Sequence, residues 1–227
     1  MADTFPYRIY IEGRWEISDL YVFPHRYAEV YSFLYALGAA GSPDESAFRE
    51  AFERYPWQGG YSAVNFYDDL YGSIPREQRL EIKRIEYASP GFIELGAILV
   101  IATQVDKILT KVFHTWDKVD RVYDGIHRRY RRRRLARLNA RERERKLEEE
   151  HVRFAIEACK ELSEAMGLEQ HEALARLSPD PIARLKILMS FWRRLRELVH
   201  FIDEGKVRVE PEQIEGHPPK KQIPPQV

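Results

Sequence analysis

The clearest chemical signal in the sequence is a run of arginines that begins at Arg128. Between Arg121 and Lys146 the chain carries 12 Lys or Arg residues and only 3 acids. Arginine presents forked N–H donors that match phosphate oxygens, so the run indicates a surface for nucleic acid or another polyanion. The candidate polyanion-binding residues are Arg128, Arg129, Arg131, Arg132, Arg133, Arg134 and Arg137.

The same basic run is compatible with roles that need no nucleic acid. Acids follow it at Glu142, Glu144 and Glu148–Glu150, and they can neutralise its end through ion pairs within the chain. A solvated helical face needs no ligand, and a basic segment also suits a membrane surface or an acidic protein. The net charge of zero hides a net of −5 in residues 1–90 and +5 in residues 91–150, so local charge matters more than the total.

The other chemically capable residues form no catalytic, cofactor-binding or metal-binding pattern. His114, Asp117, Asp120 and Asp124 lie along one side of a predicted helix, but basic residues alternate with them and favour ion pairs over a cation site. Cys159, the single cysteine, sits at an apolar helical position typical of a buried small hydrophobe. We therefore expect no catalytic residues, no cofactor and no metal, and a protein that is not an enzyme.

One very long helix is predicted to carry the arginines, opening at the turn Ser89-Pro90-Gly91. No proline occurs between Pro90 and Pro179, so the helix has no obvious interruption. Its start could bind an anion, although Glu94 in the first turn favours plain capping. Residues 92–166 would form one helix of roughly 110 Å. The alternative is a helical hairpin that bends within 134–150, with Asn139 the favoured position.

Apolar residues in this segment keep a seven-residue register from Ile98 onward. The stripe is wider than a two-position coiled-coil seam and needs cover from other helices, a sheet or a second chain. We expect it to mediate self-association as a homodimer, or binding of a protein partner. The candidate interface residues are Ile98, Val105, Val112, Trp116, Val119 and Ile126.

The first 90 residues are predicted to form a small α+β unit. Alternating apolar residues indicate a β-hairpin at 7–17. A strand at 80–87 changes phase between Ile82 and Ile85, which predicts a bulge. The predicted helices run from Pro24 to Leu37, from a capping box at Ser42–Glu45 to about Arg54, and from a start after Gly60 with Ser62 as its cap.

The fold class expected is therefore α+β, mostly α. Residues 1–90 would form the small unit with a short antiparallel sheet, and residues 91–209 the long helix and helical hairpin region. Residues 210–227, rich in proline, are expected to be disordered. No apolar run approaches the roughly 18–20 residues of a membrane span, and no signal peptide is recognisable, so a cytoplasmic protein is expected.

Two segments carry a resemblance to other proteins. The residues Gly59-Gly60-Tyr61-Ser62-Ala63-Val64-Asn65-Phe66-Tyr67, and the stretch from Ile85 to Leu95, resemble a loose set of uncharacterised bacterial proteins. The resemblance implies a bacterial origin and a similar strand-to-helix junction near residue 90. It implies no activity and no functional residues.

The function predicted from the sequence is a non-enzymatic interaction or scaffold protein that uses a long amphipathic helix. Nucleic-acid binding through the arginine-rich segment 128–146 is the alternative. An adaptor needs an exposed apolar stripe, a nucleic-acid binder needs an unpaired basic face, and an enzyme needs a concave polar pocket.

Overall fold

The computed structural model describes residues 4–54, 61–88, 90–138 and 144–208, without the side chains of 61–64, 135–138 and 144–147. The chain is mostly helical with one small sheet, which confirms the α+β class. The elements in chain order are β1 (Phe5–Ile11), α1 (Ile17–Ala39), α2 (Glu45–Arg54), α3 (Tyr61–Ser73), β2 (Glu81–Glu86), β3 (Gly91–Ala97), α4 (Leu99–His114), α5 (Trp116–Leu138), α6 (Glu144–Met166), α7 (His171–Leu177), α8 (Pro181–Asp203) and β4 (Val207–Arg208).

The four described strands form one antiparallel sheet in the order β2-β3-β1-β4. β3 pairs with both β1 and β2, so it lies between two strands that are separated in sequence by α1, α2 and α3. This is the split β-α-β connectivity, β-α-β-β-α-β, in which the described residues form three α-helices in the first crossover and five in the second. The boundary predicted at residue 90 falls inside this sheet, between β2 and β3.

One face of the sheet packs on the helices and the other is open. Tyr7, Ile9 and Ile11 of β1, with Ile93 and Leu95 of β3, are buried on the helical face. The cross-strand pair Ile9 and Ile93 shows that these residues share a side. The alternate residues of both strands point to the open face. The irregularity expected in β2 is confirmed, because its register with β3 shifts between Ile82 and Arg84.

The hairpin predicted at 7–17 is wrong. β1 ends at Ile11 and pairs with β3 and β4, while Ile17 already belongs to α1. α1 begins before Pro24 because Glu16 and Asp19 form a capping box, in which the Glu16 N–H donates to Asp19 Oδ2 at 2.9 Å. Pro24 therefore lies inside the helix and not in its first turn.

The very long helix is also wrong, because its predicted start is a strand. Residues 91–97 alternate between the core and the open face, and the helix begins only at Leu99. The junction at residue 90 is thus a turn between two strands, unlike the strand-to-helix junction that the resemblance implied. Gly91 is required in this turn, since a Cβ at this position would lie 2.8 Å from the backbone nitrogen of Ala88.

A second interruption separates α4 from α5 at Thr115. The Thr115 hydroxyl donates to the Lys111 carbonyl at 2.7 Å, and its backbone adopts φ −118° and ψ 19°, outside the helical range. Threonine side chains compete with the backbone for such carbonyls, which accounts for the break. The longest described helices have 23 residues. Asn139, the predicted bend, lies outside the described residues.

The stripe predicted as an interface forms part of the core of a single chain. Val105, Val112, Val119 and Ile126 are fully buried and Ile98 is 9% exposed, while Trp116 is partly buried and packs against Trp192 of α8. Helices α1, α6 and α8 of the same chain cover this stripe. The sequence alone could not show whether they would suffice. These six residues therefore do not form an exposed surface for a second chain.

Candidate polyanion-binding surface

The arginines that the sequence singled out lie on α5, which packs against α6 on one side. Arg129 Nη2 lies 2.9 Å from Glu161 Oε2, and Arg133 stacks 4.8 Å from the ring centre of Phe154. As the residue number rises on α5, the contact residue on α6 falls, so the two helices are antiparallel. Arg129 and Arg133 therefore help to hold α6 and are occupied within the chain.

The remaining described arginines of this run point away from α6. Arg128, Arg131, Arg132 and Arg134 are all exposed, and in the described part of the chain none has a hydrogen-bond or ion-pair partner. They occupy about 9 Å of helix. Asp124, one turn before Arg128, is the neighbouring acid on this side, and it forms no ion pair with Arg128. We call these four arginines the basic face of α5. The side chain of Arg137 lies outside the described residues.

The open face of the sheet provides a contrast within the same protein. It carries four cations, and each has a carboxylate partner. Arg8 lies 2.7 Å from Glu94, Lys83 2.5 Å from Glu81, and Arg84 2.6 Å from Glu86, while Arg208 pairs with Glu12. Arg8 and Arg84 also stack over Phe92, at 4.6 and 5.5 Å from its centre. This face is neutral, so the lack of partners on α5 is not a general feature of the surface.

A buried ionic cluster joins α1, α3 and α8. Glu29 is 4% exposed and Arg194 is 7% exposed. Glu29 Oε2 accepts from Arg26 at 2.7 Å, and its other oxygen lies 3.4 Å from Arg194 Nη2. Arg194 also donates to Ser190 Oγ at 2.9 Å and stacks 4.1 Å from the Tyr67 ring centre. These contacts tie α1, α3 and α8 to one another, so the cluster fixes the packing of the three helices.

Asp106 of α4 is the acid with the largest departure from its ordinary pKa. It lies with Tyr27 beside a cavity of about 10 Å³ under the sheet. Burial raises the pKa of Asp106 to about 7. Burial also raises the pKa of Tyr27 far above its ordinary value, and the Tyr27 hydroxyl has no hydrogen-bond partner in the described structure. A cavity of this size holds one water and no substrate.

The remaining residues considered from sequence are not brought together. His114, Asp117 and Asp124 are exposed, and Asp120 lies 4.0 Å from Arg196. No group of three or more His, Cys, Asp or Glu side chains within the described ranges could hold a metal. The anion site considered at Ser89–Gly91 required the start of a helix, but β3 begins at Gly91 instead. Cys159 is buried as expected, and burial raises the pKa of its thiol to about 12, which suppresses the reactive thiolate.

The comparisons with known proteins add no assignment to this geometry. No family model, no curated protein and no solved structure matches the chain. The resemblance of residues 59–67 and 85–95 to uncharacterised bacterial proteins stays a prediction. Over the part of the chain that the structure describes, no helix is both long and apolar enough to cross a membrane.

Proposed function

We propose that this protein binds the phosphate groups of nucleic acid through the basic face of α5. The observation that carries the proposal is the exposure of Arg128, Arg131, Arg132 and Arg134 without a carboxylate partner among the described residues. Four guanidinium groups along about 9 Å of helix repel one another, and a polyanion removes that repulsion while releasing its condensed counterions. The cations of the open sheet face are already paired with carboxylates, so a polyanion would relieve no such repulsion there.

Nucleic acid fits this surface better than a lipid membrane does. An amphipathic helix that lies on a membrane inserts large apolar side chains beside its basic residues. The exposed large apolar residues of the described chain lie on other elements, and none lies within residues 116–134, the part of α5 whose side chains the structure describes. Contacts from arginines alone go mainly to phosphates, so the proposed binding is tolerant of sequence.

The proposal is tested by removing the four charges of the basic face. We expect Arg128→Gln, Arg131→Gln, Arg132→Gln and Arg134→Gln together to weaken binding of a random-sequence DNA duplex at least about 100-fold near 0.1 M salt. The slope of log K against log salt should become shallower by about 3–4. Fluorescence anisotropy of a labelled duplex measures both quantities.

The matched control replaces Arg8, Lys83, Arg84 and Arg208 by Gln, which removes the same charge from the open sheet face. Both variants carry a net charge of −4 where the native chain has zero, so long-range repulsion is equal in the two. We expect the control to bind nearly as well as the native protein. Equal losses in both variants, or no loss in either, would reject the basic face as the binding surface.

A second candidate function is protein interaction, as the sequence first suggested, through a different surface. Ile17 is 87% exposed and Tyr21 71%, and they lie one turn apart on α1. On β2, Ile82 and Ile85 pair with Leu95 and Ile93 and are about half exposed on the helical side of the sheet. Exposed apolar residues of this kind favour contact with another protein, here a second copy of the chain.

Sedimentation velocity tests this second candidate. We expect the native chain to self-associate as its concentration rises, and Ile17→Ser, Tyr21→Ser and Ile85→Ser together to keep it monomeric. A native protein that retains the mass of one chain at the highest concentrations would reject this interface. The non-enzymatic and cytoplasmic assignments made from the sequence stay predictions.

A further inference from the structure

α8 lies beside α5 and runs in the opposite direction. Trp192 of α8 packs 5.5 Å from Trp116 and 6.2 Å from Tyr123 of α5, measured between ring centres. Arg193 donates to the Tyr123 hydroxyl at 3.5 Å, and Arg196 lies 4.0 Å from Asp120. Tyr123 and Arg134 are separated by about three helical turns, so they share the side of α5 that faces α8.

This arrangement places further cations next to the basic face of α5. Lys186 and Arg193 of α8 are about two turns apart and lie on one side of that helix. Neither has a carboxylate partner among the described residues, since the contact of Arg193 is the Tyr123 hydroxyl. Burial lowers the pKa of Lys186, and repulsion from Arg134 lowers it further, while Asp180 acts weakly in the opposite direction. The charge of Arg134 therefore acts on Lys186 across the gap between α5 and α8.

The two helices thus present two rows of cations. Residues 128–134 of α5 and 186–193 of α8 each cover about 9–11 Å of helix. The two rows lie on neighbouring antiparallel helices that meet through the side chains of Trp192, Tyr123 and Asp120. Two such rows can each follow one of the two phosphate backbones that border a groove of B-DNA.

We infer that the polyanion surface extends from α5 onto α8, and that together they hold a nucleic-acid duplex with Lys186 and Arg193 contacting a second line of phosphates. This inference rests on the proposed function and specifies its ligand. A duplex is preferred to a single strand because single-strand binding uses exposed aromatic rings for stacking. Here Tyr123 is 8% exposed and stacked on His127, and Trp192 is fully buried.

The test removes the α8 row alone. Lys186→Gln with Arg193→Gln should reduce the affinity for a random-sequence DNA duplex about tenfold to hundredfold near 0.1 M salt. The salt slope should become shallower by about 2, at roughly 0.9 per lost duplex phosphate contact. The control Arg8→Gln with Arg84→Gln removes equal charge from the open sheet face and should leave both quantities nearly unchanged. Circular dichroism melting checks that both variants are folded.

Each outcome separates this inference from the proposed function. A native affinity and slope in the α8 variant, with binding still lost in the four-arginine α5 variant, would overturn the role of α8 and leave the α5 surface standing. Binding unaffected by either variant would reject the proposed function itself. Vesicles containing phosphatidylserine test a lipid as the ligand. If the protein binds them more tightly than the duplex at the same phosphate concentration, the assignment of the ligand would be overturned. Tighter binding to a single strand than to the duplex would overturn the two-row geometry.

Discussion

Glu29→Gln is expected to lower the free energy of unfolding by about 3–5 kcal/mol, the usual cost of leaving one member of a buried ion pair without its partner. Glu29 and Arg194 are both almost fully buried, and they meet at 3.4 Å. The substitution keeps the size and polarity of the side chain but removes the charge. Arg194 would keep Ser190 and the Tyr67 ring as neighbours but lose the carboxylate charge that Glu29 places beside it.

Urea unfolding followed by circular dichroism measures this effect. Glu50→Gln is the matched control, because Glu50 forms an exposed ion pair with Arg54 and its loss should cost at most about 0.5 kcal/mol. Adding Arg194→Met to Glu29→Gln should cost less than the sum of the two single changes, by about 1–3 kcal/mol, because the buried charge of Arg194 is then removed as well. Additive costs, or a loss below about 1 kcal/mol for Glu29→Gln, would show that the pair is not coupled.

Asp106→Asn is expected to stabilise the protein at pH 8 and to have little effect at pH 4. Burial raises the pKa of Asp106 from 3.8 to about 7 in the folded chain. The folded state therefore keeps a proton that the unfolded state has lost between about pH 4 and pH 7. Stability falls as pH rises through this window, and the loss is complete above pH 7. The full shift corresponds to up to about 4 kcal/mol.

The measurement is the difference in free energy of unfolding between the Asp106→Asn variant and the native protein from pH 4 to pH 8. Taking the difference cancels the titration of other groups. We expect it to rise from near zero to a few kcal/mol in favour of the variant, with most of the change below pH 7. A difference independent of pH, or a variant destabilised at pH 8, would contradict the partly buried, protonated state of Asp106.

Local patterns in the sequence predicted local elements well where one signal stood alone. The strand at 80–87 and its change of phase are present as β2 and its register shift. The prediction failed at 91–97 because the apolar register from Ile98 was extended backwards over a stretch that alternates with a period of two. Ile93, Leu95 and Ala97 are buried while Glu94 lies on the open face, and this period was the signal that could have identified β3.

Long-range packing accounts for the remaining errors. A stripe such as Val105, Val112 and Val119 shows that a helix face must be covered, but the same stripe is compatible with a second chain or with helices from the same chain. The choice depends on α1, α6 and α8, whose positions no local pattern gives. The break at Thr115 depends on one hydrogen bond, from the Thr115 hydroxyl to the Lys111 carbonyl. A single threonine is a weak sequence signal for a break, because threonine also occurs within helices.

The arginine run was found from composition, but its division into two sides was not. Arg129 and Arg133 face α6 and are occupied, whereas Arg128 and Arg132 point outward. The sequence could count acids near the run but could not assign them to individual arginines. The contribution of Lys186 and Arg193 was not predicted either. They lie more than 50 residues away along the chain, and only the packing of α8 beside α5 brings them to this surface.

The central claim is that the exposed cations of α5 and α8 bind duplex phosphates. The most direct measurement is the affinity of the native chain for several random-sequence duplexes between about 50 and 200 mM salt. Six phosphate contacts predict a log–log slope near −5, the same for every sequence. No binding at about 50 mM salt, or a slope shallower than about −1, would contradict the account.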